Sequence, residues 1–224
     1  MNKELFARSI GLIGEENFAK LENKVVLIAG LGGVGGTAFE ALVRTGVKKF
    51  IIIDRDKVDV SNLNRQLLYT SIDIGKYKVE VAKRRALSIN PEVEVEALNF
   101  DTRYLRKIKA DFIVDCIDDT EAKVILIQYA STHNIPLISS MGMANKTDPS
   151  KIKIAAVNKS TVDPLAKKMR YELKKNNIDY SNVMCVYSDE TPFKDGNNLH
   201  SLMMVTSTAG LHIASYVVNY LKSN

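Results

Sequence analysis

The stretch GLGGVGG at residues 30–36 follows the apolar run KVVLIA and precedes AFEALVRTG. Gly30, Gly32 and Gly35 spell G-x-G-x-x-G between a strand pattern and a helix pattern, and Gly33 lies in the same loop. Glycines at this spacing permit a tight turn and let the backbone approach a phosphate closely, while the helix behind them points its positive end at negative charge. A nucleotide is the expected ligand. Whether that nucleotide carries hydride, is cleaved, or is only bound is left open by the loop itself.

The chain goes on alternating. KFIIID at 49–54 reads as a strand, 75–89 as a helix stopped by Asn90-Pro91, VEVEAL and DFIVDCI at 111–117 as strands, 121–133 as a helix and PLIS at 136–139 as a strand. Apolar, β-branched runs joined by helices indicate a parallel sheet covered on both faces. Beyond Pro149, KIKIAAV and MCVYS read as further strands, and Asp163-Pro164 opens a helix with a capping carboxylate and a proline in the first helical position. Leu165, Met169 and Leu173 form that helix's apolar stripe, and SLMMVTSTAGLHIASYVVNYL reads as a closing helix. The expected class is α/β: a Rossmann-like, doubly wound, mostly parallel sheet with added C-terminal strands and helices. It is read as one domain over 1–224, with 1–23 as an N-terminal helical arm. Ligands of such sheets sit beyond the carboxyl ends of the strands.

At 224 residues, 46% hydrophobic and 25% charged, the chain can bury one substantial core. No uninterrupted apolar run approaches the roughly 20 residues of a bilayer span, and MNKELFARSIG lacks the apolar centre of a signal peptide, so the expected location is cytoplasmic. Contact of the closing helix with a membrane is left open. Cys116 and Cys185 are too few and too far apart for a disulfide framework or a four-cysteine zinc site. The net charge of +5 gathers in KYKVEVAKRR at 76–85 and KKMRYELKK at 167–175. These stretches read either as solvated helix faces or as contacts for a polyanion such as RNA, and charge alone does not distinguish the two.

Asp54 closes the second strand, where a carboxylate would meet ribose hydroxyls. Asp56, Asn64 and Arg65 follow in the next loop, and Lys78 comes just inside the following helix. A lysine in a first helical turn faces the positive end of the macrodipole, at a cost of about 0.3–1 kcal/mol unless an anion neutralises it. Such a lysine either faces solvent or joins Arg65 in clamping phosphates, the guanidinium binding two oxygens and the ammonium acting as a point charge. Hydride transfer requires no such pair of cations; cleavage of a triphosphate does. Asp118, in DCIDD, falls just past a strand at the same sheet edge as the glycines, where a carboxylate can hold Mg²⁺ bridging phosphate oxygens. Asp115 reads as structural, Asp119 as a helix N-cap, Cys116 as a small apolar filler inside a buried strand, and Cys185 as structural.

Together, GLGGVG, IDRD, SNLNRQ, GKYK, INPEVEV and DCIDD resemble the adenylylating fold shared by ubiquitin-activating enzymes and the bacterial activators of sulfur-carrier proteins. The resemblance implies that Asp54, Arg65, Lys78 and Asp118 bind ATP and its Mg²⁺. It also implies a homodimer in which Arg8, in ARSIGLIGEENFAKL, reaches into the partner's site. The two C-x-x-C pairs usual in sulfur-carrier activators are missing from this sequence.

The second half, NKTDPSKIKIAAVNKSTVDPLAKKMRYELKKNNI and STAGLHIASYVV, resembles tRNA threonylcarbamoyladenosine dehydratases, and that likeness runs nearly end to end. It implies that ATP activates the carboxylate of threonylcarbamoyladenosine in tRNA as an acyl adenylate, which a nitrogen of the same substituent closes into a ring. Arg65, Lys78 and Arg8 would stabilise the charge on phosphate, and no thiol is required. A sulfur-transfer protein as a further partner is left open. Three rivals stand beside this reading: an activator of a ubiquitin-like or sulfur-carrier protein, a non-catalytic nucleotide-binding RNA module, and a nicotinamide dehydrogenase. Asp163 stands where some relatives have cysteine, and DGNNLHSLMM is particular to this chain.

Overall fold

The computed structural model describes residues 3–105 and 108–223. Two short helices, α1 (Ala7–Ile13) and α2 (Glu15–Asn23), precede β1 (Val25–Ala29), α3 (Gly33–Thr45), β2 (Lys49–Ile53), α4 (Lys78–Ile89) and β3 (Glu94–Leu98). Then come β4 (Phe112–Asp115), α5 (Thr120–Thr132), β5 (Leu137–Ser140), β6 (Ile152–Ala156), α6 (Pro164–Lys175), β7 (Met184–Ser188) and α7 (Met203–Ser223). These strands form one sheet in the order β3-β2-β1-β4-β5-β7-β6, parallel throughout except for β6, which pairs antiparallel with β7 at one edge.

Alternate strand residues feed two different cores, which is why the strands read as unbroken apolar runs. Val26, Ile28, Phe50, Ile52, Phe112 and Val114 pack with α3, α4 and α7 on one face. Leu27, Ala29, Ile51, Ile53 and Ile113 pack with Leu126 and Ala130 of α5 on the other. Val205, Ala209, Ile213, Val217 and Leu221 recur every four residues along α7 and are buried. The crossing of α7 over α3 is close enough that a Cβ on Gly210 would stand 2.5 Å from the Val34 carbonyl oxygen.

Helix ends follow the sequence signals. The α3 helix stops at Gly46, whose φ of 115° suits glycine and whose N–H bonds back to Leu42 and Val43. The Asp119 and Asp163 carboxylates cap α5 and α6 by accepting from Ala122 N and Ala166 N. Two boundaries differ from expectation. Gly75 has φ +85° and lies in a turn, so α4 begins only at Lys78. The β4 strand ends at Asp115, so Cys116 lies one residue beyond it rather than within it. None of the helices among the described residues is long and apolar enough to cross a membrane.

Candidate functional site

The strand order reverses between β2-β1 and β4-β5, and the carboxyl ends of β1, β2 and β4 open there into a cavity of about 320 Å³. A crevice at this position is the ligand site expected of a doubly wound sheet. Its floor is the glycine loop. Gly30 has φ +88°, and a Cβ there would meet the Cys116 carbonyl oxygen at 2.5 Å; at Gly35 it would meet the Gly30 carbonyl oxygen at 1.9 Å. Those two glycines fold the loop. Gly32 and Gly33 line the cavity, and a Cβ on Gly32 would meet nothing closer than 3.9 Å. Gly32 keeps the wall in front of the α3 N-terminus open.

Asp54, the first residue beyond β2, fastens this loop. Its Oδ2 accepts from Leu31 N at 2.7 Å and its Oδ1 from Asp56 N at 2.8 Å, and the Tyr69 hydroxyl donates to Leu31 O at 2.9 Å. Burial pushes the Asp54 carboxyl up, against the opposing pull of Lys78 and the two backbone N–H groups. Lys78 is the first residue of α4 and its side chain is only 6% exposed. Its Nζ lies 3.0 Å from the Asp56 carboxylate, so it faces the cavity rather than solvent. Arg65 also lines the cavity, with Nη1 donating to Ser61 O at 2.7 Å and to Asn64 Oδ1 at 3.0 Å. Asp118 presents an exposed carboxylate at the rim.

Of the residues singled out in the sequence, Gly30, Gly32, Gly33, Asp54, Asp56, Arg65, Lys78 and Asp118 converge on this cavity. Gly35 is packed beneath it. Asn64 is exposed and acts one step away, orienting Arg65 and donating to Ser201 O at 3.2 Å. Arg8 is exposed on α1, a helix that buries none of its residues, and does not reach the cavity of its own chain.

Among the cavity residues outside the expected set are Gln66 and Thr206. Gln66 is buried, and its Oε1 is the buried side-chain atom left without a partner among the described residues. Thr206, on α7, stands over the loop, where a Cβ on Gly33 would lie 2.8 Å from its Oγ1. Gln66 could have been found as the next residue of the N-R-Q triplet. Thr206 had no signal, since α7 reads simply as a core helix.

Beneath the rim, Lys123 of α5 is fully buried and donates to Asp115 at 3.0 Å, Ser139 Oγ at 3.1 Å and Ser140 O at 2.8 Å. Asp115 also accepts from Ile117 N at 3.1 Å, which steadies the segment that carries Asp118. Burial pushes the thiols of both Cys116 and Cys185 up to about 12, so neither is a ready nucleophile at neutral pH.

Fold and cavity define a doubly wound α/β protein whose helix terminus and three cations, Arg55, Arg65 and Lys78, face a cleft at the sheet's switch point. The ThiF family model matches residues 6–223, and the chain belongs to that family. It is 41% identical to the tRNA threonylcarbamoyladenosine dehydratase of Bacillus subtilis, over 84% of this chain and 75% of that one. It is 36% identical to tRNA threonylcarbamoyladenosine dehydratase 2 of Saccharomyces cerevisiae, where it covers 85% of itself but spans only 44% of the relative. The structure of E. coli tRNA N6-threonylcarbamoyladenosine dehydratase, TcdA, in complex with ATP superposes with a TM-score of 0.93 at 30% identity, covering 99% of this chain and 95% of that one.

Proposed function

We propose that this chain is an ATP-dependent dehydratase that cyclises threonylcarbamoyladenosine in tRNA. The observation that carries the reading is the convergence of Arg65, Lys78 and the open glycine loop on one cavity, in a chain whose relatives bear that activity in their names. The cavity fits ATP on its own terms. Gly32 leaves room for phosphate at the N-terminus of α3, Lys78 holds a buried ammonium in reach, and the unpartnered Gln66 amide oxygen can accept from a donor group of the nucleotide.

ATP is here a substrate. An oxygen of the substituent's carboxylate attacks the α-phosphorus, pyrophosphate leaves, and the carboxyl carbon becomes an acyl adenylate. A nitrogen of the same substituent then attacks that carbon and expels AMP, so that the sum is loss of one water at the expense of ATP. Arg65 and Lys78 stabilise the charge that builds on phosphate. Ring closure is intramolecular, and well-oriented reactions of this kind have effective molarities on the order of 10⁵ M or more.

Among the described residues, no group of three His, Cys, Asp or Glu is placed to hold a metal ion. Asp118 would therefore share Mg²⁺ with phosphate oxygens and water, and the ion would neutralise charge on the departing pyrophosphate. A homodimer belongs to the same reading. Leu12 on α1 is 87% exposed beside Arg8, and docking of α1 onto a second copy would cover it and bring the partner's Arg8 to the phosphates. The partners are tRNA in the cytoplasm and, as the resemblance leaves open, a sulfur-transfer protein. A carrier-activating enzyme that passes its cargo to a thiol is disfavoured by the raised thiols of both cysteines.

The test is mass spectrometry of nucleosides from tRNA incubated with the purified protein, ATP and Mg²⁺. Loss of one water from threonylcarbamoyladenosine is the expected result. Adenylylation of a carrier protein's C-terminal glycine with no change in the nucleoside would overturn it.

A further inference from the structure

The two basic stretches of the sequence have opposite fates in the fold. On α4 and the turn before it, Arg84 and Lys76 pair with Asp73, Arg85 pairs with Glu40, and Lys78 pairs with Asp56. Four of the five cations of that stretch are thus paired with acids of neighbouring elements, and only Lys83 lacks an acidic partner among the described residues. On α6, Lys167, Lys168, Lys174 and Lys175 are exposed, and among the described residues none of the four has an acidic partner. Arg170, on the same helix, is drawn inward by Ser160 and Val157 and does not join them.

Positions 167, 168, 171, 174 and 175 fall on one helical face, opposite the buried Ala166, Met169 and Leu173. At the centre of the lysines stands Tyr171, 65% exposed. Unpaired lysines around an exposed aromatic ring suit single-stranded nucleic acid, whose phosphates meet the ammonium groups and whose unstacked bases stack on the ring. The face is continuous with the site. A groove between α5 and α6 begins at Asp118 and Asp119, on the cavity rim, and ends at Lys168, Glu172 and Asn176. Its acidic lining repels phosphate and directs an RNA backbone to the lysine face beside it.

We propose that the outer face of α6 is the surface on which the tRNA substrate is held, with Tyr171 stacking on an unpaired base and the four lysines contacting backbone phosphates. The proposal rests on the tRNA-dehydratase reading and adds the place where the substrate docks. The excess positive charge of α4 takes no part.

The experiment measures tRNA binding by the full chain as a function of salt, together with the KM for ATP and for tRNA. Replacement of Lys167, Lys168, Lys174 and Lys175 by serine is expected to weaken tRNA binding at low salt by at least tenfold. The slope of log K against log[salt] should fall by about 0.7–0.9 for each phosphate that the variant no longer neutralises. Tyr171→Ala is expected to weaken binding by about fivefold or more without changing that slope, as removal of a stacking partner should. Arg84→Ser, from the paired stretch, should leave affinity and slope as they are. In the α6 variants the KM for tRNA should rise while the KM for ATP stays within twofold.

A serine variant that binds tRNA with the wild-type affinity and slope, while the wild-type protein dehydrates it, overturns the docking surface and leaves the dehydratase reading standing. Wild-type protein that neither binds nor converts tRNA overturns both.

Discussion

The Lys78 ammonium and the Asp56 carboxylate lie 3.0 Å apart, with the lysine side chain 6% exposed and the aspartate 59%. The pair is asymmetric. Removing the lysine leaves a carboxylate that water can solvate, whereas removing the aspartate leaves a nearly buried ammonium without its ion-pair partner and with only the more distant pull of Asp54. Lys78→Met is therefore expected to cost little stability while lowering ATP-dependent turnover by about 10²–10³-fold, the usual loss for one donor to developing phosphate or oxyanion charge. Asp56→Asn should destabilise more. Bound ATP should then raise its melting temperature by more than it raises that of the wild type, because the nucleotide supplies the missing anion. Thermal melts with and without ATP read this directly. An equal ATP shift in Asp56→Asn and wild type would mean that the ammonium does not reach the phosphates.

The loop glycines separate folding from binding. A Cβ on Gly35 would lie 1.9 Å from the Gly30 carbonyl oxygen, a backbone atom that cannot yield, so Gly35→Ala should fold poorly or not at all. At Gly32 the φ of −71° is open to any residue and the nearest atom is 3.9 Å away, so Gly32→Ala should melt within a few degrees of the wild type. Its methyl group projects where phosphate would sit. ATP affinity in Gly32→Ala is expected to fall by tenfold or more, measured by calorimetric titration, with the circular dichroism spectrum unchanged.

Asp73 contributes to the acid limb of stability, beside Asp101, whose carboxyl the Arg103 hydrogen bond holds lower still. Burial raises the Asp73 carboxyl, but the Thr70 hydroxyl and N–H, Arg84 and Lys76 outweigh this and hold it at about 2, below the ordinary 3.8. Because the folded state binds this proton less tightly than the unfolded chain does, the contribution is complete above about pH 4 and is lost as pH falls from there towards 2. Asp73→Asn should lower stability at neutral pH and flatten the decline between pH 4 and 2. Urea denaturation at several pH values checks it; an unchanged slope would assign the acid limb to other carboxylates.

Which parts of this were legible in the sequence follows from how local each cause is. The apolar strand runs, the glycine loop and the Asp119 and Asp163 caps depend on neighbours within a few residues, and, apart from the shortened end of β4, they are found where their patterns put them. Strand order past β5 is not local. MCVYS inserts between β5 and β6 because β6 runs antiparallel and takes the edge, and periodicity does not carry that information. Thr206 enters the cavity wall from the far end of the chain through the close crossing of α7 on α3. The unequal fate of the two basic stretches was likewise invisible, since Arg85 finds its acid in Glu40 of a different helix. Lys78 was open between solvent and cavity until the packing of α4 against α3 buried it.

Lys123 and Asp115, both fully buried, form an ion pair beneath the cavity rim, and Asp115 also accepts from Ile117 N, next to Asp118. Two charges taken out of water repay their desolvation only as long as both are present and fully bonded, as they are here through Ser139 and Ser140. Lys123→Met removes the cation and leaves a buried carboxylate with the Ser139 hydroxyl and Ile117 N–H alone. The expected loss is about 3–5 kcal/mol of stability by urea denaturation. Asp115→Asn in the same chain removes the stranded charge, and the double variant should recover most of that loss, so that the two substitutions are strongly non-additive. If the pair also positions Asp118, the double variant will fold yet show a raised Mg²⁺ requirement for turnover, because Ile117 N is then held by a neutral amide. A double variant with wild-type Mg²⁺ dependence would confine the pair to stability alone.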